Sequence, residues 1–193
     1  MSKLKYVWFV FVMKATSWLP DFVPCMRLRG TLLRPIFQAC GRNFQICSHA
    51  VILAPHRVTI GDDVYIAYGS WVQGSGSVTL GDQVMLGPYS ILASSNHSQL
   101  DGSYRFGPPR TAPIVLERGS WTGSHVTVTA GVTVGSGAAC AANSAVTKDV
   151  PAMAVVGGVP AKRLDRRQSI SPRSNADPAV ETPPRRSHQS CLQ

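Results

Sequence analysis

Apolar residues recur at every sixth position through the middle of the chain, between residues 46 and 150. Most of them are aliphatic, and a Gly, Ala or Asp commonly follows. The positions are Ile60, Ile66, Val72, Leu80, Leu86, Leu92, Leu116, Thr122, Val128, Val134, Cys140 and Val146. Neither the helical period of about 3.6 residues nor the alternation of an ordinary strand produces this spacing. The pattern indicates a repeat in which each short unit buries its apolar side chain against its neighbours.

A β-solenoid is the fold that this period predicts. Three hexapeptides make one turn of a triangular parallel β-coil, with the aliphatic side chain pointing inward and a small residue at each tight corner. Residues 57–76 also match residues 77–96 at an offset of 20, so two turns carry the same two-residue insertion. We therefore predict an all-β solenoid domain over residues 46–164.

The repeat is interrupted once, where the sixth positions fall on the polar residues Ser98, Tyr104 and Arg110. Gly and Pro residues typical of turns lie between them. We predict that residues 98–112 form a loop projecting from the solenoid. Long excursions from a rigid scaffold commonly bind a ligand.

The N-terminal segment, residues 1–45, is rich in aromatic and basic residues. A short helix is predicted over residues 5–19, because Pro20 and Pro24 limit its extension. Two roles stay open for it. The helix covers the open end of the solenoid, as terminal repeats require, or residues 1–24 contact a membrane, since aromatic and lysine side chains suit the headgroup layer.

Charge is distributed unevenly along the chain, which has 19 Lys+Arg, 10 Asp+Glu and a formal net charge of +9. Residues 1–45 and 161–193 carry +6 and +4, whereas residues 46–160 carry −1. A nucleic-acid module with a basic face across its fold is therefore not expected. Residues 165–193 consist largely of Ser, Pro, Asn and Arg, which predicts a disordered basic tail.

The cysteines indicate the compartment. The five form an odd set without CxxC spacing, which argues against a disulfide framework or a zinc site and favours reduced thiols in the cytoplasm. The apolar run at residues 6–13 ends at Lys14, so a secretory signal is the less favoured interpretation. No segment approaches the roughly 20 apolar residues of a transmembrane helix.

His97 is the best placed of the five histidines for chemistry. It directly precedes the predicted loop, so a base at this position would stand beside a wall able to enclose a substrate. The alternative is a solvated loop histidine without a chemical role, because geometry has to be established before a general base is assigned.

Four stretches of the repeat region carry a more specific pattern. They are VTLGD to NH at 78–97, WTGSHVTVTAGVTVG at 121–135, VTKDVP at 146–151 and VGGVPAK at 156–162. With His97 lying 24 residues before Trp121, the chain resembles the hexapeptide-repeat acyltransferases over about residues 41–164. The resemblance is to the branch of galactoside, maltose and Nod-factor O-acetyltransferases and of exopolysaccharide acetyltransferases of the colanic-acid type. It implies a left-handed parallel β-helix.

The resemblance also implies an activity, an acetyl-CoA-dependent O-acetyltransferase without a covalent enzyme intermediate. His97 would be the general base that takes the proton of an acceptor hydroxyl, and the backbone N–H of Ser124 would stabilise the oxyanion. Positions that match coenzyme contacts are Trp121, Ser124, Ala142, Thr147, Lys148 and Lys162. No metal is expected, and the family forms homotrimers with active sites between subunits.

The acceptor is less well defined than the acetyl donor. An acceptor-binding asparagine of the sugar branch falls here on Ala67, and a second basic coenzyme position falls on Asp165. We expect a sugar or a lipid-linked glycan of surface polysaccharide synthesis, modified in the cytoplasm or at the cytoplasmic face of the inner membrane. An N-acetyltransferase of an amino sugar or nucleotide sugar, and a noncatalytic membrane-associated scaffold, remain alternatives. Asp101 and Glu117 are candidates to orient His97.

Overall fold

Helices precede the solenoid in residues 2–164, the part of the chain that the computed structural model describes. They are α1 (Ser2–Ala15) and α2 (Val23–Leu33), and short 3₁₀ turns lie at Arg34–Ile36, Pro55–Arg57 and Gly74–Gly76. The parallel β-solenoid that follows has about six turns, which confirms the predicted fold class. The predicted disordered tail, residues 165–193, and Asp165 within it lie outside the described residues.

Each turn contributes strands to three sheets, which form the faces of the solenoid. Face A contains β1 (Ala39–Cys40), β4 (Val58–Ile60), β7 (Val78–Leu80), β12 (Ile114–Leu116) and β15 (Thr133–Val134). Face B contains β2 (Gln45–Ile46), β5 (Tyr65–Ile66), β8 (Met85–Leu86), β13 (Trp121–Thr122), β16 (Ala139–Cys140), β18 (Val155–Gly157) and the antiparallel β19 (Lys162–Leu164). Face C contains β3 (Val51–Leu53), β6 (Trp71–Gln73), β9 (Ile91–Ala93), β14 (Thr127–Thr129) and β17 (Ala145–Val146).

The parallel register stacks the sixth-position residues on one another. Ile60 pairs with Leu80, Leu80 with Leu116, and Leu116 with Val134. None of the twelve predicted inward positions is more than 2% exposed. The 20-residue offset seen in the sequence is the spacing between the paired strands β4 and β7, and the turn between them contains the 3₁₀ segment Gly74–Gly76.

The two ends of the predicted projecting loop pair with each other as one β-hairpin. β10 (Ser95–His97) pairs antiparallel with β11 (Pro109–Thr111), and His97 lies opposite Pro109. The loop assigned to residues 98–112 therefore contains a strand at its C-terminal side. Sequence patterning missed it because all three residues of β11 are exposed and carry no apolar alternation.

The N-terminal helices cover the first turn of the solenoid. Phe9, Val12 and Met13 on α1 are buried in the same apolar cluster as Ile46 and Ile52 of that turn. The helix predicted over residues 5–19 starts and ends earlier than expected. The sequence pattern does not predict the second helix, because Pro24 disfavours a helix that continues through it. Proline is nevertheless tolerated in the first turn of a helix, where its missing N–H would be unpaired anyway.

Candidate active site

The predicted site residues lie along two edges of the solenoid, one on either side of face C. The Ser124 edge is the line of corners that join face B to face C, at residues 67–70, 87–90, 123–126 and 141–144. The His97 edge is the line of corners that join face C to face A, and it carries the hairpin at 95–111 and residues 147–149.

The Ser124 edge holds the larger share of the predicted coenzyme positions. Ser124 and Ala142 occupy successive corners, linked by the N–H of Asn143, which donates to the carbonyl of Ser124 at 2.9 Å. Trp121 lies at the start of β13, three residues before Ser124. Lys162 lies opposite Gly157 in the antiparallel pair β18–β19, and its side chain is exposed.

The His97 edge holds the remaining predicted residues. The side chains of His97, Thr147 and Lys148 are all exposed. Glu117, considered as a partner of His97, instead accepts hydrogen bonds from the N–H (2.9 Å) and Oγ (2.8 Å) of Ser136. Among residues 2–164, neither Glu117 nor Asp101 forms an ion pair with His97.

One chain does not bring the two edges together. In the third turn, face C separates Tyr89 on the Ser124 edge from Ser94 on the His97 edge by five residues. An extended segment of that length spans roughly 16 Å. The imidazole of His97 and the N–H of Ser124 therefore lie too far apart within one chain to act on the same atom.

The N–H of Ser124 is available as a donor. It donates to no acceptor among residues 2–164, whereas the flanking N–H groups of Gly123 and His125 bond to the carbonyls of Cys140 (2.8 Å) and Pro88 (2.9 Å). A backbone N–H held between two bonded neighbours and facing no protein acceptor has the properties required of an oxyanion donor.

A row of rings, which sequence reasoning missed, follows the Ser124 edge. The ring of Tyr68 lies 4.7 Å from that of His49 and 5.7 Å from that of Tyr89, and Tyr89 stacks on His125 at 5.0 Å. Tyr68 and Tyr89 are 40% and 46% exposed. We call these four residues the ring row. The available signal was their place just before the small corner residues of successive turns. Gly69 makes room for the row, because a Cβ there would lie 2.5 Å from the Tyr89 ring.

The described residues lack a metal-ligand cluster, and the buried thiol of Cys140 is not a reactive one. Residues 2–164 contain no group of three or more His, Cys, Asp or Glu side chains able to hold a metal ion. Burial raises the pKa of Cys140 to about 11, so this thiol stays protonated at neutral pH and is a poor nucleophile.

No helix within residues 2–164 is long and apolar enough to cross a membrane.

Comparison with known proteins returned no matching family model, but it found sequence relatives. The galactoside O-acetyltransferase of Escherichia coli is 29% identical over 134 residues, which cover 69% of this chain and 66% of that protein. WcaF of Escherichia coli, assigned as an acetyltransferase of colanic acid biosynthesis, is 28% identical over 161 residues, which cover 83% of this chain and 86% of that protein.

The solved structures that superpose on this chain are also acetyltransferases. The hexapeptide-repeat-containing acetyltransferase VCA0836 of Vibrio cholerae, complexed with acetyl coenzyme A, superposes with a TM-score of 0.72 and 27% identity, covering 86% of this chain and 89% of that one. Galactoside acetyltransferase in complex with coenzyme A superposes with a TM-score of 0.73 and 26% identity, covering 85% and 81%.

Proposed function

We propose that this chain, a homologue of the hexapeptide-repeat acetyltransferases, transfers the acetyl group of acetyl-CoA to a hydroxyl of a sugar or of a surface-polysaccharide intermediate. The observation that carries the proposal is that one solenoid presents both a free backbone donor at Ser124 and an exposed imidazole at His97. The sequence relatives and structural neighbours of this solenoid are acetyltransferases.

The reaction is a direct transfer. The imidazole of His97 takes the proton of the acceptor hydroxyl as its oxygen attacks the thioester carbonyl. The tetrahedral oxyanion accepts a hydrogen bond from the N–H of Ser124. When the intermediate collapses, the C–S bond breaks, the imidazolium returns its proton to the sulfur, and the products are an acetyl ester and coenzyme A.

The proposed site is shared between copies of the chain in a homotrimer. His97 and Ser124 lie on opposite sides of face C, so neither edge of a single chain carries both the base and the oxyanion donor. A threefold arrangement that turns face C of each copy toward the axis brings the His97 edge of one copy against the Ser124 edge of the next. Such contacts are heterologous and close into a ring. Each interface then carries one site.

Acetyl-CoA would lie on the C-terminal side of this interface. Ala142 leaves room at the corner that follows Ser124, and its side chain is exposed. Lys162 of the same copy and Lys148 and Thr147 of the next copy meet there. The two exposed ammonium groups suit the phosphates of the coenzyme, as charge-assisted hydrogen-bond donors. Trp121 would cover the pantetheine arm beside this edge.

The acceptor would approach from the opposite side of Ser124. The ring row runs from Ser124 toward the first turn, away from the proposed coenzyme positions. Half-exposed tyrosines offer an apolar ring face together with a hydroxyl, a combination that suits the carbon-bound hydrogens and hydroxyls of a sugar. A glycan of several residues, including a lipid-linked one, fits this extended surface.

A membrane contact of α1 fits a lipid-linked acceptor. Its outward side carries Leu4, Val7, Trp8 and Phe11, which are 75%, 60%, 43% and 60% exposed. They line an apolar cavity of about 650 Å³ against Pro35. The spacing i, i+3, i+4, i+7 places them on one stripe, opposite the side that packs on the solenoid. The two roles considered for this helix are therefore compatible.

Charge favours an anionic membrane as the occupant of that stripe. Lys3, Lys5 and Lys14 are on the same helix, and residues 1–45 carry +6. The only carboxylate in those residues, Asp21, is neutralised by Arg29 at 2.6 Å. A second copy of so basic a surface would be repelled. Anionic lipid supplies both the apolar layer and the opposite charge, at the cytoplasmic face of the inner membrane.

The proposed reaction is tested by thiol release from acetyl-CoA in the presence of glycan acceptors. His97→Ala is expected to lower the rate by at least 10²-fold. The control is Gln83→Asn, an exposed residue at a corner between faces A and B and therefore outside both edges, which should leave the rate within about twofold. Unchanged thiol release in His97→Ala would reject the base. Loss of the acetyl label on mild base treatment of the product identifies an ester, and retention identifies the amide of an N-acetyltransferase.

A further inference from the structure

We infer that Ser90 is a positioning residue that aims the N–H of Ser124 at the developing oxyanion, an inference that rests on the proposed function. Ser90 is 0% exposed and lies directly before β9. Its Oγ donates to the carbonyl oxygen of Gly123 at 3.0 Å. This carbonyl and the N–H of Ser124 belong to the same peptide group. Because a peptide group is planar, fixing the direction of its C=O also fixes the direction of its N–H.

Ser90 receives a hydrogen bond from a second buried hydroxyl. The Oγ1 of Thr122, also 0% exposed, lies 2.9 Å from the Oγ of Ser90. Since the single hydroxyl proton of Ser90 is directed at Gly123, Thr122 is the donor of this pair. The Oγ1 of Thr122 in turn accepts from the N–H of Gly87 at 3.2 Å, and the same N–H donates to the backbone carbonyl of Thr122 at 2.9 Å.

The donors in this chain all point in one direction. It runs from the N–H of Gly87 through Thr122 and Ser90 to the carbonyl of Gly123, and ends at the N–H of Ser124. Hydrogen bonds in series polarise one another, so a peptide group that accepts at its oxygen donates more strongly from its nitrogen. The chain is closed to water, because both of its hydroxyls are fully buried.

The preceding turn contains a matched comparison at Ser70. Ser70 is also 0% exposed, and its Oγ donates to the carbonyl of Gly87 at 3.1 Å. That carbonyl belongs to the peptide group leading into Pro88, which has no N–H. Ser70 therefore makes the same contact one turn earlier without orienting a donor. The two serines differ in whether the peptide group that they hold can face a substrate.

The test compares Ser90→Ala with Ser70→Ala in the full chain, using acetyl-CoA and the glycan acceptor that supports thiol release. Both variants lose one buried hydroxyl, and Ser90→Ala also leaves the hydroxyl of Thr122 without its acceptor, so we expect the melting temperature to fall in both and somewhat further in Ser90→Ala. Ser90→Ala should lower kcat about tenfold, with the KM for acetyl-CoA and the Kd for coenzyme A within about twofold. Ser70→Ala should keep kcat within about twofold of wild type.

Thr122→Val provides a second variant that preserves side-chain shape while removing the hydroxyl that donates to Ser90. We expect kcat to fall about threefold. Unchanged kcat in both Ser90→Ala and Thr122→Val, or an equal loss in Ser70→Ala, would overturn the positioning role. The wild-type rate reports separately on the proposed function. Absence of wild-type turnover would remove that function and this inference with it, whereas wild-type turnover matched by Ser90→Ala would overturn the inference alone.

Discussion

Cys140 occupies an inward position that most other turns fill with an aliphatic side chain. It is 0% exposed and stacks between Thr122 and Val156. Burial raises the pKa of this thiol from 9.0 to about 11. The folded protein therefore holds the thiol proton more tightly than the unfolded chain does. The stabilisation is complete below pH 9 and is lost as the pH rises through about 11.

Cys140→Val should remove this pH dependence. Between pH 8 and pH 10.5, the free energy of unfolding of wild type should fall by about 2 kcal/mol more than that of Cys140→Val. Denaturant titrations of both proteins at the two pH values measure the difference. Parallel losses in the two proteins would show that the thiol does not ionise differently in the folded and unfolded states.

Residue positions along the period could be read from the sequence, but their side-chain partners could not. Thr122 was assigned to an inward position although it is polar, and the structure places it there at 0% exposure. Its hydroxyl is satisfied by Ser90 and Gly87, which lie 32 and 35 residues away. Since a buried hydroxyl is tolerated only when it is hydrogen-bonded, the position was predictable, whereas the partners required the register of the turns.

Elements without a strong period were the ones that sequence analysis described least well. The solenoid strands follow a sequence repeat, whereas α2 shows no apolar period. Pro24 in its first turn also made the beginning of the helix hard to predict. The aromatic and basic composition of α1 fits both a cover of the solenoid and a membrane contact. In the structure, Phe9, Val12 and Met13 face the solenoid, while Val7 and Phe11 are exposed. Knowledge of which side the first turn covers was needed to separate the two sets.

The outward stripe of α1 leads to a prediction of membrane binding. Val7→Asp combined with Phe11→Asp should weaken binding to phosphatidylserine-containing vesicles more than tenfold, because each apolar side chain contributes about 1.5 to 3 kcal/mol on burial. Folding should be preserved, since both side chains are 60% exposed. Vesicle co-sedimentation measures the effect, and binding of wild type should weaken with added salt as the lysine contribution is screened.

Met153→Asp is the control for that experiment. Met153 is 79% exposed and lies near the C-terminal end of the solenoid, away from the helices. It should leave vesicle binding within about twofold of wild type, since it removes apolar surface that no membrane covers. If wild type does not bind vesicles, or if Met153→Asp weakens binding as much as the α1 variant, the assignment of the stripe to membrane is wrong.

At the scale of the whole molecule, the repeat in the sequence is sufficient to assign His97 and Ser124 to different edges of the solenoid. Leu92 occupies the third inward position of its turn and Thr122 the second, so His97 follows face C and Ser124 follows face B. The number of residues between two positions gives their order along the chain. The position of a residue within its three-strand turn decides on which edge of the solenoid it lies. The linear motifs list the predicted residues together, and only the resemblance implies that they meet between subunits. The structure divides them between two edges about one sheet width apart, and how copies join is not encoded in the repeat.

A site shared between copies predicts complementation between two inactive variants. His97→Ala damages only the His97 edge, and Ala142→Trp blocks only the Ser124 edge. In trimers reassembled from equal amounts of both, an interface pairing the Ser124 edge of the first variant with the His97 edge of the second is fully intact. Random assembly in a closed ring makes about one quarter of the interfaces of this kind. The mixture should therefore recover about one quarter of the wild-type rate of thiol release.

A same-edge pair makes this prediction specific. Thr147→Trp blocks the His97 edge, so mixing it with His97→Ala leaves every interface with one damaged His97 edge, and no activity should return. Each variant alone should remain inactive after the same unfolding and reassembly. A site contained within one chain gives no recovery in either mixture, because every chain is then defective by itself. Recovery in the His97→Ala and Ala142→Trp mixture alone requires that the base and the oxyanion donor come from different copies.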